Sequence, residues 1–409
     1  PFREADKQWQ PGVRLRACAI EKHSAAGDRR GGCHARTNDG VGVCCRRLFQ
    51  SGWFRYNHGV FGQWSSTAVM RLRVGVIGLG DAWQHRHAPA LRALADRFEV
   101  RAICEQVGHR AEQAAAEFDA SAVESFRTLA CREDIDAVFV LAHQWYGALP
   151  LIVAAEAGKA VYCTAGVELQ PEEAEQIKNS VEQSGVVFMV EFPRRRAPAT
   201  AKLKQLIAAQ LGEPQLLLCH QCVSTRSASP CPANRRPEYA ALREMVEAVD
   251  WCCYLVGKQP TAVTGLIHSS PPDRNRAPDE DYYLIGLDFS QPDAPGTSQM
   301  AQISCSRYIP AHWHEAISYR ATAALQASCR RGIAFVDLPS SVVWFDEAGR
   351  HQESLDSERP LGEQLLAEFY RAVLEGRSQT NDLESVCRAL HIVQQARRSH
   401  GEGRRIALC

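Results

Sequence analysis

The chain has 409 residues, carries 47 Lys plus Arg against 47 Asp plus Glu, and is 45% hydrophobic. That length suits two ordinary hydrophobic cores, because one core rarely grows past about 250 to 300 residues. The balanced charge gives no global field favouring nucleic acid or an anionic membrane over a neutral small molecule. No stretch approaches the roughly 20 apolar residues of a membrane helix, and the first residues lack a signal peptide's charged start and apolar core, so a cytoplasmic protein is expected.

Residues 1–69 show neither the helical nor the strand period, are rich in Arg, Gly and Cys, and contain no Met before Met70. They read as an upstream extension or disordered tail, with no interleaved aromatics to suggest a nucleic-acid arm. From Met70 onwards strand and helix patterns alternate: Leu72 to Ile77, a helix over Arg86 to Asp96, Val100 to Cys104, then a helix over Arg110 to Phe118. Ile135 to Leu141 is an apolar run of the kind a parallel strand shows when both faces are covered. The helix Leu149 to Ala157, stopped by Gly158, leads to strand Val161 to Cys163, the helix Gln170 to Ser184 and strand Val186 to Val190. The pattern is that of an N-terminal doubly wound parallel sheet of the Rossmann type, spanning 70–192.

After Pro193 the rhythm changes. A helix over Ala199 to Ala209 precedes longer strands at Pro214 to Cys222, Tyr282 to Phe289, Gln299 to Ser306 and Ser318 to Cys329, which read as antiparallel, with a helix over Tyr239 to Val256 among them. Helices Leu361 to Leu374 and Asp382 to Ser399 and a short apolar end, Arg405 to Leu408, complete an α+β domain, 193–409, with an open and mostly antiparallel sheet.

Of the 16 cysteines, Cys104, Cys163 and Cys305 lie in apolar elements, as reduced buried thiols do, and no disulfide framework is expected. Cys219-His220-Gln221-Cys222 ends the apolar run Leu216 to Leu218, where alternate residues face opposite ways, so it reads as strand rather than zinc site. Cys33, His34, Cys44 and Cys45 lie in the irregular leading segment, and no metal is assigned to them.

Gly78-Leu79-Gly80 falls where the first strand must turn into a helix, the place at which a dinucleotide pyrophosphate meets backbone N–H groups and the positive helix end. Gly78 permits the tight turn and Gly80 the close approach of backbone to phosphate, while Trp83 stands at the fingerprint's third glycine. An indole there must swing towards the ligand or push the helix off the strand. Glu105 follows the second strand, where a carboxylate accepts from ribose hydroxyls and repels a 2′-phosphate, favouring NAD over NADP. The expected cofactor surface is Gly78, Gly80, Asp81, Ala82, Trp83, Glu105, Leu141, Ala142 and Thr164.

The run Leu72 to Leu91, LRVGVIGLGDAWQHRHAPAL, resembles the opening of the Gfo/Idh/MocA family, the glucose–fructose oxidoreductase and inositol dehydrogenase type. Glu156 to Cys163, Ser184 to Val190, Leu211 to Pro214, Ala389 to Val393 and Gly401 to Arg405 extend the likeness over residues 70 onwards. The resemblance implies hydride transfer between a nicotinamide and a sugar, polyol or related molecule in a cleft between the domains, and homo-oligomerisation through the C-terminal sheet. It also implies a Lys in an EKP motif and an Asp and a His on the helix after the crossover. Those positions hold Ala165, Arg243 and Glu247, with Asp250 kept as the last acidic residue, and the loop beside the nicotinamide reads Ala142 to Gly147. His143, Glu247 and Asp250 are the catalytic candidates, since proton transfer from a hydroxyl needs a group of suitable pKa within reach. Two readings follow: an oxidoreductase with altered catalytic residues, or a non-catalytic sensor or partner protein that binds dinucleotide or sugar. Trp83 raises a further one, loss of the cofactor itself. Arg194-Arg195-Arg196, at the crossover, reads as solvated surface or as a grip on an anionic substrate, His312-Trp313-His314 as a partly exposed turn or substrate loop, and Tyr162 as strand core.

Overall fold

The computed structural model describes residues 70–80, 82–142, 146–164, 171–225, 238–270, 279–310, 323–355, 359–377 and 380–408. Among these the strands form two sheets, one of six and one of nine.

The first sheet contains β1 (Leu72–Ile77), β2 (Phe98–Cys104), β3 (Ser121–Ala122), β4 (Ala137–Val140), β5 (Ala160–Thr164) and β6 (Phe188–Glu191). They lie in the order β3-β2-β1-β4-β5-β6, every neighbouring pair parallel. This is the strand order of a dinucleotide-binding fold, with its switch point between β1 and β4. All four residues of β4 are buried, as expected of a strand covered on both faces. The helices are α1 (Ala88–Ala93), α2 (Gly108–Glu117), α3 (Phe126–Ala130), α4 (Leu149–Glu156) and α5 (Pro171–Ser184). A π-helical turn, Trp83–His87, runs directly into α1. The chain leaves β6 through the short α6 (Pro193–Arg196) and α7 (Pro198–Leu206), the latter ending in a second π turn, Ile207–Leu211.

The second sheet contains β7 (Pro214–Thr225), β8 (Ala262–Ser270), β9 (Asp279–Asp288), β10 (Met300–Pro310), β11 (Leu325–Cys329), β12 (Gly332–Asp337), β13 (Ser341–Asp346), β14 (Gly349–Ser354) and β15 (Ile406–Ala407). Their order is β14-β13-β12-β11-β7-β10-β9-β8-β15. The central pair, β7 and β10, is parallel, which corrects the antiparallel expectation for those two; the other neighbours are antiparallel. The strand expected over Ser318 to Cys329 is described only as Leu325–Cys329, its first residues and His312 to His314 lying outside the described residues.

Alternation sorts the second sheet's two faces. Leu217 and Cys219 of β7 and Ala301 and Ile303 of β10 turn inwards, into one core with Met245, Val249 and Cys252 of α8 (Glu238–Val256) and Val386, Leu390 and Val393 of α10 (Thr380–Glu402). The opposite face carries Leu216, Leu266, Met300 and Phe345, which are 37%, 54%, 41% and 38% exposed. On the other side of the first sheet, Leu366, Phe369 and Tyr370 of α9 (Leu361–Glu375) complete a second core with Val74, Phe98, Phe139 and Tyr162. Phe139 and Tyr162 pack against Phe369 with ring centroids 5.5 and 5.4 Å apart, so a C-terminal helix is part of the first sheet's own packing.

Candidate active site at the glycine turn and the crossover

The turn after β1 is fixed from two sides. The Gly78 N–H donates to the Cys104 carbonyl at 2.8 Å, and the Leu141 N–H donates to the Ile77 carbonyl at 3.0 Å. Gly78 and Gly80 have φ of +71° and +50°, and a Cβ on Gly78 would lie 2.7 Å from Ala142 Cβ, one on Gly80 2.5 Å from the Leu141 carbonyl oxygen. Only glycine fits both positions. The close approach at Gly80 is therefore also to protein backbone, a need not visible in the motif. The same packing brings Leu141 and Ala142 against the turn, gathering four of the expected cofactor residues.

Glu105 joins them. Its Oε2 accepts from the Leu79 N–H at 2.8 Å and its Oε1 from the Gln106 N–H at 3.0 Å, with the residue only 7% exposed. These bonds clamp the carboxylate to the lip of the turn, and a carboxylate has further lone pairs for ribose hydroxyls. Thr164 ends β5, half-buried and in register with Glu191. Asp81 and His143 lie outside the described residues.

Trp83 behaves differently from expectation. It is 4% exposed, its ring lies 5.6 Å from that of Phe118, and it shares the core of Leu72, Val74 and Val76. The indole is packed in the core shared by β1 and α1. The helix instead begins with the wider π turn, in which Arg86 and His87 N–H groups both donate to the Ala82 carbonyl, at 2.9 and 3.2 Å. The Trp83 side chain is thus buried, and Ala82 stands at the helix entry.

A buried polar cluster that the sequence did not announce lies at the end of β6. Glu191 receives the Tyr162 hydroxyl at 2.9 Å, His87 Nε2 at 2.7 Å and an ion pair from Arg86. Burial raises the Glu191 carboxyl, but the charges of His87 and Arg86 and these hydrogen bonds outweigh it and hold it below the usual carboxylate range. Burial and Glu191 push the Tyr162 phenol well up. The available signal was a carboxylate closing the otherwise apolar run Val186 to Val190.

The three crossover arginines are not solvated surface. Arg194 donates to Gln221 at 3.0 Å and to Glu244 at 2.7 Å, and its Nε lies 3.3 Å from Glu247. The Thr200 hydroxyl donates to the Arg194 carbonyl at 2.6 Å and accepts from Trp251 Nε1 at 3.0 Å, fixing the crossover against α8. Arg195 grips Asp250 through two nitrogens and stacks 4.2 Å over the Phe192 ring. Arg196 pairs with Glu368, and Asp382 lies 3.7 and 3.9 Å from Arg195 and Arg196. Carboxylates of this chain, on α8, α9 and α10, take the place foreseen for an anionic substrate.

Glu247 and Asp250 are consequently in different surroundings. Burial pushes the Asp250 carboxyl up in spite of Arg195, and its paired oxygens leave it a structural ion pair. Burial and the neighbouring Glu244 raise Glu247, opposed by Arg194, Arg243 and Arg86. Burial takes Asp382 up to about 6. Among the described residues no group of His, Cys, Asp and Glu is placed to hold a metal ion, and no helix is long and apolar enough to cross a membrane.

Residues 72–192 match the model of the Gfo/Idh/MocA group, described as an oxidoreductase family with an NAD-binding Rossmann fold. Residues 72–192 thus carry an NAD-binding Rossmann domain similar to that of the Gfo/Idh/MocA oxidoreductases. Inositol 2-dehydrogenase 3 of Saccharopolyspora erythraea is 30% identical over 152 residues, 37% of this chain and 45% of that protein. The scyllo-inositol 2-dehydrogenase (NAD(+)) of Bacillus subtilis is 27% identical over 200 residues, 48% of this chain and 57% of that one. The chain spans about half the length of these curated relatives in the matched regions. Similar folds are seen in levoglucosan dehydrogenase in complex with NADH and levoglucosan, with a TM-score of 0.70, 20% identity and coverage of 83% of this chain and 99% of that one. They are seen also in aldose-aldose oxidoreductase from Caulobacter crescentus, with a TM-score of 0.69, 17% identity and coverage of 83% and 100%. The glycine turn and Glu105 both fall inside the region matched by the Gfo/Idh/MocA model.

Proposed function

We propose that this chain is an NAD-dependent oxidoreductase of a sugar, polyol or related small molecule, with catalytic residues altered from those the family resemblance implies. The observation that carries the reading is the Glu105 carboxylate held against the Leu79 N–H of a turn where only glycines fit. The burial of Trp83 in the core of β1 and α1 supports a turn whose backbone N–H groups remain available to a diphosphate. Gly78, Gly80 and Ala82 would hold the diphosphate and Glu105 the ribose, favouring NAD over NADP. The bound nicotinamide supplies the hydride acceptor or donor.

For the accompanying proton, Glu247 is the described candidate and His143 the second. Asp250 orients the crossover through Arg195. Glu247→Gln is expected to lower kcat by about 10² to 10⁴, the usual contribution of a general acid or base, with NADH affinity unchanged. Turnover of a panel of sugars, polyols and inositols with NAD or NADH tests this directly. A second reading, a non-catalytic dinucleotide or sugar sensor, is favoured by the way Glu247 and Asp250 are both engaged by arginines. Saturable NADH binding with no turnover on any member of the panel would select it.

The exposed apolar face of the second sheet supports a homo-oligomer, with Leu216, Leu266, Met300 and Phe345 buried against a second copy.

A further inference from the structure

Between α5, the turn joining α8 to β8, the middle of α10 and the chain's last strand lies a cavity of about 370 Å³. That volume falls within the roughly 300 to 1,000 Å³ typical of small-molecule sites. Its described lining shares no residue with the glycine turn or the crossover arginines. Ala174, Pro260, Leu390, Ile392 and Leu408 make the lining largely apolar, and no carboxylate is among the described lining residues.

Arg388 is the fixed charge in that lining. Its acidic neighbour on α10, Glu384, is 3.8 Å away, and Glu384 is already held at 2.7 Å by Lys178 of α5. Asp250 also feels the Arg388 charge, but Arg195 occupies its oxygens. Glu384 thus faces both cations; Glu182 also acts on Lys178, and Arg388 donates to the Ser385 hydroxyl at 3.3 Å, so the carboxylate nearest Arg388 is one it shares, at the edge of an apolar hollow. The Arg388 side chain is 46% exposed, so its guanidinium fork has room to accept a partner. The same helix carries Asp382 to Arg195 and Arg196, so the cavity and the crossover share a rigid element.

We propose that this cavity is a binding site, separate from the dinucleotide turn, for a small aliphatic carboxylate: the chain lies against the apolar lining and the carboxylate takes the Arg388 guanidinium. An apolar body satisfies the hydrophobic lining, and a carboxylate is the planar anion that a guanidinium grips through two parallel hydrogen bonds.

The test is isothermal titration of the whole chain with octanoate, and with 1-octanol as its neutral counterpart. One octanoate is expected per chain. Arg388→Gln should weaken binding about tenfold, the loss of a charge-assisted hydrogen bond, and 1-octanol should bind wild type weaker by a similar factor. Cys387→Trp, which fills the hollow from α10, should abolish binding while leaving the thermal midpoint near that of wild type. In unmodified protein, octanoate should also slow alkylation of Cys387 by N-ethylmaleimide, read by peptide mass spectrometry, which keeps the test valid if the tryptophan variant fails to fold. Absence of binding, equal affinity for 1-octanol, or octanoate binding untouched by Arg388→Gln with Cys387 unprotected would each overturn the assignment.

Discussion

Trp83 shows what a single position does and does not disclose. The sequence correctly marked it as the break in the three-glycine pattern, but its spacing from Gly80 says nothing about side-chain direction. That direction is set by Phe118 and the apolar side chains of β1, which the indole joins in the core. Trp83→Ala is therefore expected to cost stability, about 3 to 5 kcal/mol for a buried aromatic, and to leave NADH affinity of the folded protein near wild type. Denaturant unfolding alongside a binding titration separates the two effects. The crossover arginines follow the same logic: a run of like charges looks solvated until its partners, Glu244, Asp250, Glu368 and Asp382, are folded over it from far along the chain. Asp382 gives this a pH signature. Its carboxyl rises from 3.8 to about 6, first through burial and then through Asp250 and Glu368, against Arg196 and Arg195. Because the folded state then holds the proton more tightly than the unfolded chain, stability from this group is present below about pH 4 and is lost as pH rises towards about 6. Relative to wild type, Asp382→Asn should gain roughly 3 kcal/mol between those limits, measured by urea unfolding at each pH.

At the level of elements, the parallel sheet was legible almost strand by strand, because strands covered on both faces are continuous apolar runs. The second sheet was less so. The strands β12, β13 and β14 were not anticipated, since one face meets the core and the other is open, and β14, Gly349–Ser354, is polar along its length. Its identity as a strand comes from its register with β13, a pairing that local composition does not encode. The parallel pairing of β7 and β10 was hidden likewise, because strand direction belongs to topology rather than to period. The π turn at Trp83–His87 replaced the first part of an expected helix. The strand-to-helix turn with its two positive-φ glycines lies where the sequence places it, and its tolerance to substitution is specific. Gly80→Ala would force a Cβ towards the Leu141 carbonyl at a φ of +50°. A loss of at least about 1 kcal/mol in unfolding free energy is expected, with weaker NADH binding, because β1 and β4 must separate to relieve the contact.

For the whole molecule, the two sheets are joined by more than a linker: α9 packs on the first sheet, while crossover arginines bind α8, α9 and α10. The outward face of the second sheet carries the exposed apolar side chains Leu216, Leu266, Met300 and Phe345, and Leu266→Asp combined with Phe345→Asp is expected to convert a homo-oligomer into monomer, as read by light scattering after size exclusion. A wild-type monomer would contradict that part. The central claim is that this molecule holds a dinucleotide at the turn between β1 and α1 with Glu105 on the ribose. Titration with NADH, followed by energy transfer from tryptophan to the reduced nicotinamide, tests it most directly. The account predicts saturable transfer in wild type and binding weakened about tenfold in Glu105→Ala, the scale of a charge-assisted hydrogen bond. No transfer in wild type, or unchanged affinity in a folded Glu105→Ala, would contradict it.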